Sequence, residues 1–204
     1  MGAPRVYLAG PDVFLPEPAA MARAKQELCA AYGLVGVSSL DNEIDVSALP
    51  RRQAGLAIGA ANEATIRSCQ ALVANLTPFR GPSADVGTAY ELGFARALGL
   101  PVFAYTNAAG SFLQRTRAHA RRVRKRRSGT LEDEHHMALE DFDLADNLML
   151  AAAVHATGAA VVVGRVPARR RFTDLSAFEE CLRLAARHLG VRGPDRARRS
   201  AAGR

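Results

Sequence analysis

The residues best suited to chemistry lie in the stretch 80–99, RGPSADVGTAYELGFARALG. Its apolar pattern predicts a core helix from Ser83 to Leu98, with Ser83 as its N-cap and Asp85 in its first turn, where the helix dipole favours a carboxylate. Glu91 falls in the middle of this helix, and a carboxylate is costly to bury there unless it is used. Glu91 is therefore a candidate nucleophile, general base or metal ligand.

Gly87, one helical turn before Glu91, supports a functional interpretation. Glycine costs a helix roughly 1 kcal/mol relative to alanine. Because helical side chains lean toward the N-terminus, Glu91 is expected to project over the bare surface at Gly87. The spacing predicts a slot through which a ligand reaches the carboxylate. The structural alternative is a core glutamate paired with Arg96 or another cation.

Several classes of site are disfavoured by missing patterns. The chain has no GxGxxG, no P-loop lysine motif and no GxSxG elbow. The run EDEHH at 132–136 lacks a helical i, i+4 histidine pair and is expected to be a solvated charged segment. Cys29, Cys69 and Cys181 form no CxxC pair and are expected to pack as small apolar residues. We expect neither a metal nor an organic cofactor.

The net charge of +7 over 204 residues is unevenly distributed. Residues 115–127 carry eight positive charges and no negative one, and residues 165–204 carry a net +7, so the rest of the chain is acidic at −8. Neither basic segment interleaves aromatic residues as single-strand binders do, so nucleic-acid binding is not expected. No membrane-length apolar run and no signal region are present, which favours a cytoplasmic location and no membrane association.

Short apolar runs alternate with helical periodicity along the chain, which predicts an α/β fold with a parallel sheet of about five strands and helices on both faces. Strands are expected at Arg5–Ala9, Leu34–Val37, Ala71–Asn75, Val102–Tyr105 and Ala159–Val163, and helices at Glu17–Tyr32, Gln53–Cys69, Ser83–Leu98, Asp146–Thr157 and Thr173–Leu189, the last capped by Thr173 or Asp174. Residues 1–190 are expected to form one domain. Residues 107–139 are predicted to be a long charged loop insertion, and residues 191–204 a disordered Arg-rich tail.

Ligands of open parallel sheets bind beyond the carboxyl ends of the strands. Two such ends here, at Gly10 and at Asn75, carry turn-forming and polar residues. Glycines such as Gly10 and Gly81 let a ligand approach backbone N–H groups closely. The candidate helix with Asp85 and Glu91 follows the second of these ends.

The segments VYLAGPDVF, ANLTPFRGPSADVGTAYELGFARALGLPVFAY and EDFDLADNLML resemble the nucleoside 2-deoxyribosyltransferase family. The resemblance covers about residues 5–155, with the three motifs in the family's order and approximate spacing. It implies a Rossmann-like or flavodoxin-like fold, a role in nucleotide salvage, and exchange of the base of a 2′-deoxynucleoside through a covalent glycosyl-enzyme intermediate. The implied partners are small molecules, namely a 2′-deoxynucleoside and a free nucleobase.

The resemblance also implies roles for individual residues. Glu91 would be the nucleophile on C1′ of the sugar, Tyr7 would hydrogen-bond to that carboxylate, and Asp85 would contact and protonate the departing base. The expected substrate-binding residues are Gly10, Asn62, Asn75, Gly87, Asn147 and Met149. Asn62 matches a polar family position or is simply an exposed helix residue. The segment with Asn147 and Met149 would reach the site of a neighbouring subunit in a homo-oligomer.

Two alternative functions remain open from the sequence. In an N-glycoside hydrolase of deoxynucleosides or their 5′-phosphates, water would replace the acceptor base. Related nucleotide hydrolases hold the 5′-phosphate near the loop after the first strand, which here is GPDVFLPEP. Its Asp12 and Glu17 would repel a phosphate, which favours a nucleoside as the substrate. If the substrate is a nucleotide, Arg80 is the best candidate for the phosphate ligand. The second alternative is not an enzyme but a module that binds nucleosides or nucleic acid through the Arg-rich segments. This alternative does not explain the presence of Tyr7, Asp85 and Glu91.

Overall fold

The computed structural model describes residues 2–191; the predicted tail lies outside them except for Val191. The central sheet has five parallel strands, β1 (Arg5–Ala9), β2 (Val35–Val37), β3 (Ala71–Asn75), β4 (Val102–Thr106) and β7 (Val162–Val163). Their order in the sheet is β2-β1-β3-β4-β7. The predicted α/β fold with about five parallel strands is confirmed, although β7 is only two residues long.

Helices cover both faces of this sheet, as the alternation predicts. They are α1 (Pro18–Ala31), α2 (Arg51–Arg67), α3 (Val86–Ala97), α4 (Phe112–His119), α5 (Leu148–His155) and α6 (Ser176–His188). One core cluster joins α1 and α6 to alternate strand residues such as Leu8, and the other joins α2, α3 and α5 to the residues between them, such as Tyr7. Because strand side chains alternate between faces, Tyr7 points to the layer that contains α3.

Residues 107–139 are not the structureless insertion that the sequence predicted. They contain α4 and an antiparallel hairpin of β5 (Arg124–Lys125) and β6 (Leu131–Glu132). Ser111 and Gln114 form a reciprocal capping box that starts α4. Glu132, 7% exposed, forms ion pairs with Arg124 and Arg126 across the hairpin. These local bonds order a segment whose apolar pattern is too weak to reveal it.

Two expectations about α3 are wrong. The helix starts at Val86 with Asp85 as its N-cap, whereas Ser83 donates a hydrogen bond to Asp146 outside the helix. The helix is also not buried all round, since Val86 is 84% and Tyr90 57% exposed. A helix lying on one face of a sheet has only one side covered, and the uncovered side here adjoins a cavity.

The other predicted helices, observed as α1, α2, α5 and α6, begin and end within three residues of their predicted limits. Helix α6 begins at Ser176 with Leu175 at its N-cap position and no side-chain cap, so the prediction of Thr173 or Asp174 as its cap is wrong. Asp174 accepts a hydrogen bond from the Ser176 N–H from just before the cap position. Cys29, Cys69 and Cys181 are free and buried, as expected. Across residues 2–191, no helix is long and apolar enough to cross a membrane.

Candidate active site

Three elements that are distant in sequence converge on the Glu91 carboxylate. Tyr7 lies on β1, Asn62 on α2, and Glu91 one and a half turns into α3. The Tyr7 hydroxyl donates a 2.7 Å hydrogen bond to Glu91 Oε1, and the Asn62 amide nitrogen lies 3.5 Å from the same oxygen. The hydrogen bond from Tyr7 that the family resemblance implied is therefore present, and Asn62 joins this site instead of facing solvent.

Burial changes the protonation of both groups. It is the main reason that the pKa of Glu91 is raised to about 7; the hydrogen bond from Tyr7 opposes this rise and the charge of Asp85 adds to it. Burial and the neighbouring Glu91 raise the pKa of Tyr7 far above its ordinary value. Tyr7 therefore stays a neutral donor, while Glu91 is divided between its acid and its carboxylate near neutral pH.

Asp85 stands beside this pair at the start of α3. Its Oδ2 accepts hydrogen bonds from the Thr88 N–H at 3.0 Å and from the Thr88 hydroxyl at 3.3 Å. Both bonds use the same oxygen, so Oδ1 is left for a ligand. Asp85 and Glu91 are thus two carboxyl groups on one helix, the first at its capped end and the second deeper, against β1.

A cavity of about 480 Å³ opens between α2 and α3, with Glu91 and Asn62 in its wall. Its lining also includes Gly55, Gly59 and Tyr90. Gly87 belongs to the same wall, and a Cβ there would lie 3.0 Å from Asp85 Oδ2. The predicted slot beside Gly87 is present at Glu91, whereas Asp85 is not among the residues that line this cavity. This volume lies within the usual range for small-molecule sites.

Gly10 and Asn75 are close to each other but are not among the residues that line this cavity. A Cβ at Gly10 would lie 2.9 Å from the Asn75 Cβ and 2.8 Å from Asp12 Oδ2, so close packing requires the glycine. Asn75 is 2% exposed, and its Oδ1 accepts a hydrogen bond from the Thr77 N–H. These two residues support the loops after β1 and β3, and their contact with substrate stays a prediction.

Asn147 and Met149 lie at the start of α5, outside this cavity's lining. The Asn147 side chain caps the helix by accepting from the Met149 N–H, and its amide nitrogen donates to Glu140 at 2.8 Å. Met149 is 69% exposed. The fully buried Asp146 connects this segment to the loop just before α3, since it accepts from the Ala84 N–H and the Ser83 hydroxyl.

A buried cation near the loop after β1 was missed by sequence reasoning. Lys25 of α1 is 3% exposed and forms an ion pair with Asp12. Because Lys25 compensates its charge, Asp12 no longer argues against a 5′-phosphate. Arg80, the predicted phosphate ligand, is exposed, and its guanidinium lies over the rings of Phe14 and Phe79 at 4.8 and 4.6 Å.

Asn42 is a second residue that sequence reasoning missed. Its amide nitrogen donates to Asn62 Oδ1 at 2.7 Å, directly behind Glu91. The sequence did contain an indication of its role. Asn42 belongs to the polar stretch SSLDN, which follows the carboxyl end of β2, and ligand sites of parallel sheets form at such strand ends. Within residues 2–191, the run 132–136 included, no group of three or more His, Cys, Asp or Glu side chains is arranged so that it could hold a metal ion.

Known proteins resemble this chain in sequence and in fold. A family model for nucleoside 2-deoxyribosyltransferase matches residues 6–149. An uncharacterized protein of Schizosaccharomyces pombe is 28% identical over 200 residues, which cover 93% of this chain and 90% of that protein. The structure of a 2-desoxiribosyltransferase from Leishmania mexicana is 26% identical, with a TM-score of 0.59 over 87% of this chain and 97% of that one. A conserved protein from Enterococcus faecalis, 19% identical with a TM-score of 0.52 over 90% of this chain and 99% of that one, shares the fold.

Proposed function

Because the chain belongs to the nucleoside 2-deoxyribosyltransferase family, we propose that it exchanges the base of a 2′-deoxynucleoside through a covalent deoxyribosyl intermediate on Glu91. The observation that carries this proposal is the position of the Glu91 carboxylate. It lies in the wall of a ligand-sized cavity, is held by Tyr7, and has a second carboxyl group, Asp85, on the same helix. No cofactor takes part in the proposed reaction.

In the first step, a Glu91 carboxylate oxygen attacks C1′ of the sugar and forms a glycosyl ester. The C1′–N bond breaks, and its electron pair stays on the base nitrogen. A nucleobase is a poor leaving group until it is protonated, so Asp85 delivers a proton to the departing base. The Tyr7 hydroxyl keeps the attacking carboxylate oriented and donates to its charged form.

In the second step, a nitrogen of the acceptor base attacks C1′ and the ester bond to Glu91 breaks. The electron pair returns to the carboxylate, and the acceptor's displaced proton passes to Asp85. Two successive inversions at C1′ give net retention and ping-pong kinetics. If water takes the acceptor's place, the same intermediate gives free deoxyribose, so the hydrolase reaction competes at this step only.

The transferase proposal is tested by supplying donor and acceptor separately. With deoxyinosine or thymidine plus free adenine or cytosine, we expect new deoxynucleosides, separated by chromatography. With donor alone, we expect intact-protein mass to rise by one deoxyribosyl unit, located on Glu91 by peptide mapping, with a 2′-fluoro donor used if the intermediate turns over quickly. Release of free sugar at the same rate with and without acceptor would contradict a transferase and establish the hydrolase reaction.

We further propose that the active form is a homo-oligomer assembled through the apolar surface around α5. This surface includes Phe142 and Met149, which are 63% and 69% exposed, and it adjoins an apolar cavity of about 730 Å³ lined by α5 and β7. Phe142→Glu would place a charge in the interface. We expect the wild-type chain to sediment as an oligomer and the variant as a monomer with reduced transfer. An active wild-type monomer at every concentration would contradict this proposal.

A cytoplasmic location and a role in nucleotide salvage stay predictions, as does a single domain over residues 1–190. The preference for a nucleoside over a nucleotide also stays open, since the Lys25–Asp12 ion pair removes one charge argument for it. Assays with a deoxynucleoside and with its 5′-monophosphate, side by side, compare the two donors directly.

A further inference from the structure

A chain of hydrogen bonds runs behind the cavity wall and ends on Glu91. The Thr65 hydroxyl donates to Asn42 Oδ1 at 2.6 Å, and the Asn42 amide nitrogen donates to Asn62 Oδ1 at 2.7 Å. The Asn62 amide nitrogen then faces Glu91 Oε1 at 3.5 Å. These hydrogen bonds connect the turn after β2 to α2 and α3, the two helices of the site.

The direction of the chain follows from the chemistry of its last member. The ionised form of Glu91 only accepts hydrogen bonds, so it requires Asn62 to turn its NH₂ group toward Glu91 and its carbonyl oxygen away. That oxygen requires a donor, which the Asn42 NH₂ group supplies. The Asn42 oxygen in turn requires a donor, which the Thr65 hydroxyl supplies. Reversing either amide would bring two acceptors or two donors face to face.

We propose that Asn42 and Thr65 are positioning residues that hold the Asn62 amide with its N–H groups toward the Glu91 carboxylate. Neither of them belongs to the cavity wall, so they act on Glu91 only through Asn62. The inference rests on the proposed function, because it concerns the same carboxylate. It adds a second donor to Glu91 beside Tyr7, with its orientation set from outside the pocket.

The turn that carries Asn42 is itself held in place. The Asp41 carboxylate accepts from the Ser38 N–H at 2.7 Å, and Gln26 of α1 donates to both Asp41 oxygens at 2.9 and 3.1 Å. Asn42 is therefore a fixed support for the Asn62 amide. The long contact between Asn62 and Glu91 leaves room for this bond to shorten when a substrate occupies the site.

The groups that face Glu91 determine the expected response. Tyr7 of β1 and Asn62 of α2 donate toward the carboxylate, whereas Asp85 of α3 raises its pKa by charge. Glu63 of α2 lies in the same cavity wall and is hydrogen-bonded by Tyr90. When the Asn62 donor is lost, the charged form of Glu91 loses stabilisation. The pKa of Glu91 therefore rises, and the acid limb of the pH–rate profile for transfer moves to higher pH.

Thr65→Val tests the inference, because it removes the hydroxyl without changing charge and hardly changes shape. We expect the pKa of Glu91 in the unliganded protein, followed by ¹³C NMR of labelled carboxyl groups and assigned with Glu91→Gln, to rise by about one unit. Transfer at pH 6 should then fall about tenfold, and at pH 8.5 about twofold or less. Thr65→Ser, which keeps the hydroxyl, should retain the wild-type pKa of Glu91 and the wild-type rate of transfer at pH 6.

Two further variants make the outcome decisive. Asn42→Ser removes the donor to Asn62 and should shift the Glu91 titration in the same direction, even if Thr65→Val folds poorly. Ser47→Ala removes a hydroxyl that donates to Asp45 at 2.7 Å in the loop after Asn42, outside the hydrogen-bond chain, and should leave the titration in place. If Glu91 titrates identically in wild type, Thr65→Val and Asn42→Ser, the inference is overturned whatever the enzyme's activity. If the wild type neither transfers nor hydrolyses, the proposed function fails while the titration still tests the hydrogen-bond chain.

Discussion

Glu91→Gln is expected to lower base exchange by about 10⁴-fold or more, because an amide cannot form the glycosyl ester and the nucleophile acts as a unit with its partners. Glutamine has nearly the same shape and can still accept the hydrogen bond from Tyr7, so substrate binding should change little. The measurement is the initial rate of product nucleoside formation, together with the mass of the protein after incubation with donor. Glu27→Gln, the same change on the exposed surface of α1, should keep full activity.

The same variant has a second expected effect that shows it is folded. The raised pKa of Glu91, about 7 against an ordinary 4.5, means that the native protein holds a proton between these pH values that the unfolded chain releases. Stability contributed at this position is thus lost as pH rises from 4.5 to 7. Glu91→Gln should be more stable than wild type by about 3 kcal/mol at pH 8, or about 8 °C in Tm, and about equal to it at pH 4.5.

Equal melting temperatures of Glu91→Gln and wild type at pH 8 would contradict a poorly solvated carboxylate at this position. Undiminished transfer by Glu91→Gln would instead rule out Glu91 as the nucleophile. The two measurements therefore separate the chemical role of Glu91 from its environment. In wild type, transfer should also decline as pH falls below 7, because the attacking group must be ionised.

Asp85→Asn is expected to lower exchange of ordinary bases by about 10²–10³-fold, since the general acid is lost while the carboxylate of Glu91 remains. Asparagine is as good an N-cap as aspartate, so α3 should start at the same residue and the protein should stay folded. The measurement is kcat for a purine or pyrimidine deoxynucleoside, compared between variant and wild type.

The specific control for Asp85 is a donor whose leaving group needs no proton, such as 4-nitrophenyl 2-deoxyriboside. With this donor, release of nitrophenolate by Asp85→Asn should fall only about tenfold or less, because protonation no longer limits the first step. An equal loss for both kinds of donor would mean that Asp85 acts by positioning the substrate or α3 and not as an acid.

Much of the fold was predictable because it depends on local patterns. The alternation of short apolar runs with helical periodicity indicated the five parallel strands and the helices on both faces, and these are present. The insertion was mispredicted for the same reason. The hairpin of β5 and β6 is held by the charges of Glu132, Arg124 and Arg126, and ion pairs leave no periodic signature in a sequence.

The sequence by itself determined which residues could do chemistry on α3. The mid-helix carboxylate of Glu91, the bare surface at Gly87 and the acidic residue Asp85 lie within seven positions, so helical geometry alone relates them. The identity of the helix cap was not determined, because Ser83 and Asp85 are both good capping residues. In the structure Asp85 caps the helix, because the Ser83 hydroxyl donates its hydrogen bond to the buried Asp146 instead.

Only the tertiary structure decided how that carboxylate is held. Tyr7 and Glu91 are 84 positions apart, and they meet because β1 lies beside β3, with α3 packed on the face toward which Tyr7 points. The same packing brings Asn42 behind Asn62 and pairs Lys25 with Asp12. Such contacts depend on strand order and on which face each side chain occupies. Periodicity read along one segment contains neither, so the support of Glu91 could be found only once the chain was folded.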